Sequence, residues 1–257
     1  MPVTAASLPL AFAAHLLAWG GPFVSTTPDS RIPVLGTTGA AGGVELVVLG
    51  GGTYVHRSVD ARGIPSNGLI WTSALGLLLI DTAWTDAQTE AILKWGDQHL
   101  RKPWIGALIT HDHGDRDGGL GALSKRRIPT AALDLTVAKL ARRGVHDVSV
   151  LFAAKDVTFT DPRGFEAFYP GPGHAPDNIV VRFPDVVFGG CLIKSMDAED
   201  LGFTGDADRA SWPAAVRRVS ERYGETTVVP GHGAVDVAGA SLQHTLDLLG
   251  AAGRESR

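Results

Sequence analysis

Two histidines and an aspartate alternate in the segment His111-Asp-His-Gly-Asp-Arg-Asp-Gly-Gly119, directly after the apolar run 104–110. In an extended chain, residues i, i+2 and i+4 point to the same side. His111 and His113 can therefore converge on one ion, while Asp115 reaches a neighbouring position. Imidazole and carboxylate groups at this spacing indicate a metal site. For this motif taken alone, the alternative is a chance cluster of polar residues on the surface.

Three other residues with metal-binding side chains also stand at strand ends or in glycine-rich loops. His174 closes the loop Gly171-Pro-Gly-His, Cys191 ends the apolar run Phe188-Gly-Gly-Cys, and His232 lies in Pro230-Gly-His-Gly. Loops at strand ends are where catalytic groups gather. A lone cysteine is otherwise a small buried apolar residue. Four separate strand ends supply only His, Asp and Cys side chains. This restriction favours a metal centre over a chance cluster.

The donor types divide the six residues into two sites. His111, His113 and His174 make a neutral three-nitrogen site with an open fourth position, whereas the second site has one oxygen, one thiolate and one nitrogen from Asp115, Cys191 and His232. Zinc accepts all three ligand types. A thiolate disfavours magnesium, calcium and manganese. We therefore predict two Zn²⁺ ions per chain.

The rest of the pattern predicts an α/β fold that brings these loops together. Strands are expected within 44–56 (two), 69–72, 76–81, 104–110, 157–160, 165–169, 178–183, 186–188 and 226–229. Helices are expected at 86–100, with Asp86 as the cap, and at 118–127, 135–143, 212–223 and 237–249. Two similar halves, ending near Arg143 and Leu249, indicate an αβ/βα sandwich in one domain, 44–257.

Composition excludes several other classes of protein. The 257 residues carry a net charge of −4 and no large basic cluster, so no nucleic-acid partner is expected. The single cysteine excludes an internal disulfide. Residues 1–43 are interpreted as an N-terminal segment whose apolar stretch Leu8–Trp19 is too short to span a bilayer but suits a signal peptide. Because no basic residue precedes that stretch and His15 interrupts it, an irregular segment is the alternative.

The chain resembles a class B metallo-β-lactamase of the di-zinc subclass with cysteine in its second site. The matching stretches are 65–70, 79–84, 110–119, 173–178, 189–195, 201–208 and 230–233, in the family's order. Two departures separate the chain from sister families. Arg116 stands where glyoxalase-type hydrolases have histidine, and His111 stands where the mono-zinc lactamases have asparagine. The resemblance implies the metallo-β-lactamase fold.

By the same resemblance, a zinc-bound hydroxide hydrolyses the β-lactam ring of a small-molecule antibiotic. Asp115 is expected to orient the hydroxide and Lys194 to bind the substrate carboxylate, which makes these two the expected catalytic residues; a solvated lysine is the alternative for Lys194. Asp81 and Arg116 are expected to hydrogen-bond behind the ligands. The hairpin 54–67 would form a flap over the substrate. The resemblance also implies a periplasmic or secreted monomer without stable membrane insertion.

One departure keeps other substrates open. Phe203 stands where the family commonly has an asparagine that donates a hydrogen bond to the developing oxyanion, so we expect Phe203 to contact the substrate instead. A hydrolase of the same fold that acts on a lactone, ester or thioester is the first alternative, because fold alone does not choose the substrate. A zinc-binding protein without catalysis is the second, and the open position of the three-histidine site disfavours it.

Overall fold

Two β-sheets form the centre of the computed structural model, which describes residues 43–160, 165–224 and 226–255. The predicted signal stretch and most of the predicted N-terminal segment lie outside these residues. The first sheet contains β1 (Val44–Gly50), β2 (Thr53–Val59), β3 (Pro65–Thr72), β4 (Leu77–Ile80), β5 (Trp104–Ile109), β6 (Thr130–Leu133) and β7 (Val148–Phe152). The second contains β8 (Thr158–Thr160), β9 (Glu166–Phe168), β10 (Val180–Phe183), β11 (Val186–Gly190) and β12 (Thr227–Pro230).

Strand order follows the chain in both sheets. The first sheet runs β1-β2-β3-β4-β5-β6-β7 and the second β12-β11-β10-β9-β8. Pairs from β4 to β7 are parallel, and so is the pair β11–β12. Because the carboxyl ends of parallel strands meet at one edge of a sheet, the loops that leave β11 and β12 lie side by side. The loop after β5 of the first sheet reaches the same edge, since Arg116 contacts Gly231 after β12.

Helices cover the outer faces of the two sheets. They are α1 (Asp86–Trp95, continued by a π-helical turn over Gly96–Leu100), α2 (Gly114–Asp117), α3 (Leu120–Lys125), α4 (Asp134–Arg142), α5 (Trp212–Tyr223) and α6 (Ala240–Glu255). α1 and α3 pack on the first sheet through residues such as Ile92 and Leu123. α5 and α6 pack on the second through residues such as Val216 and Leu249. Among the described residues, no helix has the length and apolar character needed to cross a membrane.

Aromatic side chains fill the space between the two sheets. Trp71 of the first sheet lies 5.1 Å from Phe183 of the second, and Phe165 lies 5.6 Å from Phe183, as distances between ring centroids. Ile80, Leu108 and the other inward residues of both sheets complete the same apolar cluster. Such burial is worth roughly 1.5–3 kcal/mol for each large side chain. The predicted αβ/βα sandwich is confirmed.

Three details of the secondary structure differ from the prediction. The strands β6 and β7 were not predicted; in β6, two of the four residues of Thr130-Ala-Ala-Leu are alanine, which is depleted in strands. The first half of the fold therefore extends to Phe152 and does not end near Arg143. The predicted helix 118–127 is shorter than expected, because only Leu120–Lys125 (α3) is helical; the short helix α2 before it was not predicted, and the turn between the two passes through Gly118 and Gly119.

The cap of α1 also differs. Thr85, and not Asp86, caps the helix, because the Thr85 hydroxyl accepts a hydrogen bond from the backbone N–H of Gln88 at 3.2 Å. Asp86 instead accepts from the backbone N–H of Ala122 at 2.9 Å and thereby joins α1 to α3. The last helix begins at Ala240, three residues after the expected start.

Candidate metal centre

The six predicted ligands come from four loops at one edge of the sandwich. His111 and His113 follow β5, and Asp115 lies in the short helix α2 that begins directly after them. His174 lies in the loop between β9 and β10, Cys191 directly follows β11, and His232 lies two residues after β12. Each sheet therefore supplies three of the six side chains.

Three imidazole nitrogens converge as predicted. The Nε2 atom of His111 lies 3.1 Å from Nδ1 of His113, and Nε2 of His174 lies 3.2 Å from the same Nδ1 atom. The three side chains form a group whose ligand atoms all lie within 4.8 Å of one another. This triangle of nitrogens has the size and the chemistry to hold one ion.

Hydrogen-bond partners determine which ring nitrogen of His111 and His113 is available. The Thr110 hydroxyl donates to Asp81 Oδ2 at 2.8 Å, so its oxygen can accept from His111 Nδ1, 3.3 Å away. His113 donates from Nε2 to the Asp206 carboxylate at 3.0 Å. Since each neutral imidazole carries one N–H, the lone pairs of His111 Nε2 and His113 Nδ1 both point into the site.

Burial keeps two of these rings neutral. Burial first, and then its neighbours His174 and His113, lower the pKa of His111 well below 6.5. Burial and the positive charge of Lys194 likewise lower the pKa of His174 well below 6.5. Neutral imidazole is the form that binds metals, so no proton has to be displaced from these rings at neutral pH.

The second group contains one atom of each predicted type. Asp115 Oδ2 lies 3.3 Å from Cys191 Sγ and 3.2 Å from His232 Nε2, and Sγ lies 3.4 Å from the same Nε2. His232 Nδ1 donates to the carbonyl oxygen of Pro65 at 2.5 Å, which directs Nε2 toward the other two ligands. His111 lies within 4.8 Å of Asp115 and Cys191 as well, so the two groups are adjacent.

The electrostatics of this second group favour a cation. Burial lowers the pKa of His232, but the neighbouring Cys191 and Asp115 more than reverse that effect and raise it to about 9. The same two groups would attract a metal ion, which competes with the proton for Nε2. Gly231 allows the close approach, because a Cβ atom there would lie 2.7 Å from Cys191 Sγ. The donor sets of both groups fit zinc.

Arg116 lies directly behind Asp115 and the loop that carries His232. Its buried guanidinium contacts Asp115 Oδ2 at 2.7 Å and Asp81 Oδ2 at 3.2 Å, and donates to the Gly231 carbonyl at 2.7 Å. Despite the burial of Asp115, Arg116 and His232 hold the pKa of its carboxyl well below its usual value. Arg116 therefore keeps the Asp115 ligand ionised and joins it to the loop that carries His232.

Asp81 supports the three-histidine site through its backbone and its side chain. Asp81 directly follows β4 and has a left-handed φ of 58°, a conformation that aspartate tolerates better than most residues. Oδ1 accepts from the Thr110 backbone N–H at 2.7 Å. Burial raises the pKa of Asp81 to about 6, against the opposing effects of Arg116 and Thr110, so the carboxylate remains ionised at neutral pH. His56, which the sequence analysis did not select, donates to the Asp81 carbonyl at 3.2 Å.

Lys194 and Phe203 lie beside the three-histidine site. Lys194 is only 8% exposed, and its Nζ atom lies 5.3 Å from the centroid of the Trp212 ring, which also contacts His174. Burial lowers the pKa of Lys194. The Phe203 ring is 65% exposed and stands edge-to-face with His113, 5.4 Å away. Phe203 therefore presents apolar surface on the open side of this site.

Sequence reasoning assigned no role to Asp206, Asp177 and Lys139. Asp206 accepts from His113, and Lys139 lies 3.2 Å from Asp206 and 2.9 Å from Asp177. Asp206 occurs within the stretch 201–208 that carried the resemblance, but a carboxylate in a loop gives no sign of its partner. Lys139 lies within the helix expected at 135–143, where the sequence does not distinguish it from the other basic residues.

Comparison with known proteins agrees with this geometry. The profile of the Metallo-beta-lactamase superfamily matches residues 60–232. The chain belongs to this superfamily. The Metallo-beta-lactamase type 2 of Bacillus cereus is 37% identical over 216 residues, which are 81% of this chain and 83% of the relative. The expected class B family, with cysteine in its zinc site, is confirmed.

Solved structures of the superfamily share the whole sandwich. A metallo-beta-lactamase from Pontibacter korlensis has a TM-score of 0.75 at 36% identity and covers 81% of this chain and 99% of its own. The metallo-beta-lactamase FIM-1 from Pseudomonas aeruginosa, solved in a mono-zinc form, has a TM-score of 0.75 at 33% identity and covers 82% of this chain and 97% of its own. The metallo-β-lactamase fold is therefore established for the chain.

Proposed function

We propose that this protein is a zinc-dependent β-lactamase that opens the β-lactam ring of antibiotics by hydrolysis. The observation that carries the proposal is the convergence of three histidine nitrogens beside an Asp/Cys/His group in a metallo-β-lactamase chain. The likeness to relatives named metallo-beta-lactamases supports the same reaction.

The residues present would hold two zinc ions. His111, His113 and His174 would hold one, and Asp115, Cys191 and His232 the other. When bound, zinc lowers the pKa of water and polarises the substrate carbonyl, so the chain needs no side-chain nucleophile of its own. Asp115 and a Cys191 thiolate neutralise only part of the charge of two Zn²⁺ ions. The remaining positive charge favours an anionic substrate.

Residues around the ions would orient the substrate. Asp115, which forms an ion pair with Arg116, would hold a proton of the attacking water. Lys194 would move its ammonium group from the Trp212 ring toward the carboxylate of the lactam. Phe203 would contact an apolar side chain of the substrate, since its ring is exposed beside His113. The hairpin of β2 and β3 would cover the substrate from the opposite side.

The remaining expectations concern the whole chain. We propose that residues 44–257 form the catalytic domain and act as a monomer without stable membrane insertion. Export to the periplasm or out of the cell, directed by a signal in residues 1–43, fits an enzyme whose substrates are antibiotics. Hydrolysis of these compounds would contribute to antibiotic resistance.

A second candidate function is hydrolysis of a lactone, ester or thioester. The exposed Phe203 ring favours it, because the chain has no asparagine at this position to donate to the oxyanion. The experiment is a hydrolysis assay on a penicillin, a cephalosporin and a carbapenem beside a panel of lactones and thioesters, with and without a chelator. Chelator-sensitive cleavage of the lactams supports the proposal. Cleavage of the lactone or thioester panel alone supports the second candidate, and no cleavage of either would contradict both.

A further inference from the structure

A lysine on α4 joins two carboxylates that each hold part of the His-x-His segment. Lys139 Nζ lies 2.9 Å from Asp177 Oδ1 and 3.2 Å from Asp206 Oδ2. Asp177 Oδ2 accepts from the backbone N–H of Asp112, between the two histidines, at 2.9 Å. Asp206 accepts from Nε2 of His113. The Lys139 ammonium group therefore contacts both the carboxylate that holds the backbone of the His-x-His segment and the carboxylate that holds its His113 side chain.

The two carboxylates differ in how firmly the fold holds them. Asp177 is fully buried and also accepts from the Thr136 hydroxyl at 2.9 Å, so α4 fixes it at two points. The Asp206 side chain is 36% exposed and lies in a loop. Without the cation, the loop carboxylate would lose its tie to α4, whereas Asp177 would keep Thr136 and Asp112.

The consequence for His113 is specific. Its Nδ1 atom is the one that points into the three-histidine site, and the acceptor on Nε2 determines both the tautomer and the orientation of the ring. His113 is half-buried, whereas His111 and His174 are buried. Packing therefore restrains the His113 ring less than the other two, and the Asp206 hydrogen bond has correspondingly more effect on it.

We propose that Lys139 is a positioning residue that sets the metal affinity of the three-histidine site through Asp206 and His113. The inference rests on the proposed zinc sites. It adds that the metal affinity of the three-histidine site depends on α4, whereas that of the Asp/Cys/His site does not. Lys139 contacts none of Asp115, Cys191 and His232 in the described part of the chain, so the Asp/Cys/His site should keep its affinity.

The test uses Lys139→Met and metal titrations of the full chain. Zinc affinities are measured against a chromophoric chelator. Co²⁺ serves as a second probe, because a thiolate-to-cobalt charge-transfer band reports the Cys191 site alone, whereas the visible ligand-field bands report Co²⁺ at both sites and so give the histidine site by difference. Loss of an outer partner of a metal-bound histidine costs about 10–100-fold in affinity. We expect a loss of about tenfold at the histidine site and less than about twofold at the cysteine site.

Matched variants separate positioning from a general loss of structure. Arg142→Met removes an exposed positive charge from the same helix and should leave both affinities unchanged. Lys139→Arg keeps the cation and should recover most of the lost affinity. Asp206→Asn should reproduce the effect of Lys139→Met, and the double variant should lose little more than either alone, since both act on the same hydrogen bond.

Each other outcome overturns the proposal. Equal weakening of both sites in Lys139→Met, or additive losses in the double variant, would show that Lys139 supports the fold rather than His113. Unchanged affinities at both sites would show that the Asp206 hydrogen bond does not depend on Lys139. If Lys139→Met fails to fold, Lys139→Arg and Asp206→Asn decide by the same site-selective criterion. Failure of the wild-type chain to bind Zn²⁺ or Co²⁺ at all would instead refute the proposed function.

Discussion

At the scale of single residues, three of the histidines use one ring nitrogen to hold the ring and leave the other for an ion. Thr110, Asp206 and the carbonyl of Pro65 are the acceptors for His111, His113 and His232. The carbonyl of Pro65 can only accept, which assigns the His232 tautomer without further argument. The site is therefore organised for a cation by groups that do not contact it.

Cys191→Ser should separate the two metal sites. Cys191 is 2% exposed and lies within 3.4 Å of two other ligands, so a serine hydroxyl would occupy the same position with a poorer donor. Loss of a direct ligand should cost more than the roughly 10–100-fold expected for an outer partner. Metal titration should show this loss at the second site and little change at the three-histidine site. Equal affinity of serine and cysteine proteins would argue against a thiolate ligand.

Lys194→Ala should mainly weaken substrate binding. A hydrogen bond to a charged group contributes about 1.5–3 kcal/mol, so KM for carboxylated lactams should rise by about 10–100-fold with a smaller change in kcat. Steady-state kinetics on several lactams would measure both constants, and Lys125→Ala on α3 is the control for removal of an exposed charge. An unchanged KM would indicate that Lys194 serves only to pack on Trp212 and does not contact substrate.

Phe203→Asn should change substrate preference more than overall rate. An oxyanion donor is worth about 3–4 kcal/mol where it is the main stabiliser, but a bound zinc ion would polarise the same oxygen. We expect kcat to change by about tenfold or less, or about 1.4 kcal/mol. Lactams with aromatic side chains should lose the most in kcat/KM. Phe203→Leu is the control that keeps apolar surface, and a uniform gain of about a hundredfold with asparagine would contradict the argument.

The sequence predicted the ligands better than their supports. The His-x-His-x-Asp spacing and the histidines and cysteine at strand ends have few other uses, and the structure brings these six side chains together at one edge. Asp206 and Lys139 come from a loop and a helix 67 residues apart, and no local pattern relates them. The support of His113 depends on tertiary contacts and could be identified only from the structure.

At the scale of elements, the clearest periodic segments were predicted most accurately. Helix 212–223 matches α5 residue for residue, because an apolar face of Trp212, Ala215, Val216 and Val219 repeats at helical spacing. β6 was missed because both faces of this short strand are buried and two of its four residues are alanine. A strand buried on both faces lacks the alternation of apolar and polar residues by which a half-exposed strand is identified in a sequence.

A charged cluster attaches α5 to β9 and makes stability depend on pH. Glu166 accepts from Arg222 at 2.7 and 2.8 Å and from the Tyr223 hydroxyl at 2.5 Å. The Arg222 hydrogen bonds hold the pKa of Glu166 below 4.5. Because the folded-state pKa is lowered, the ionised carboxylate stabilises the fold above the unfolded pKa, and this contribution is lost as pH falls through the folded pKa.

Glu166→Gln should therefore destabilise the protein at pH 7 by about 1 kcal/mol, the upper range for a partly exposed pair. The difference from wild type should shrink as the pH falls below about 4.5. Urea unfolding across this range measures it. Glu221→Gln changes an exposed residue of α5 and is the control. Because metal loss at low pH affects both variants alike, comparison with this control removes that effect. A difference that does not depend on pH would mean that shape, and not charge, is what matters at residue 166.

At the scale of the whole molecule, the candidate metal centre combines residues from both sheets. Three ligands follow β5 of the first sheet, and three follow strands of the second. The aromatic cluster of Trp71, Phe165 and Phe183 holds the same sheets together in their shared core. Arg116 adds a contact between them, because it lies in α2 and donates to Gly231 after β12. Zinc should therefore stabilise the edge that carries the site more than the core.

Removal of zinc should lower the melting temperature and loosen that edge selectively. Free zinc at about 1,000 times Kd stabilises the folded state by about 4.1 kcal/mol for each site. For a chain of this size, 1 kcal/mol shifts Tm by about 2–4 °C, so chelation should lower Tm by roughly 10 °C or more. Hydrogen exchange with and without chelator should show the largest loss of protection in residues 111–117, 172–175, 190–192 and 231–233. Strands between Trp71 and Phe183 should change least, since their apolar contacts do not depend on the ions. A loss of protection spread evenly over both sheets would show that the ions stabilise the entire sandwich. An unchanged Tm would show that the folded chain does not bind zinc appreciably, which contradicts the proposed metal centre.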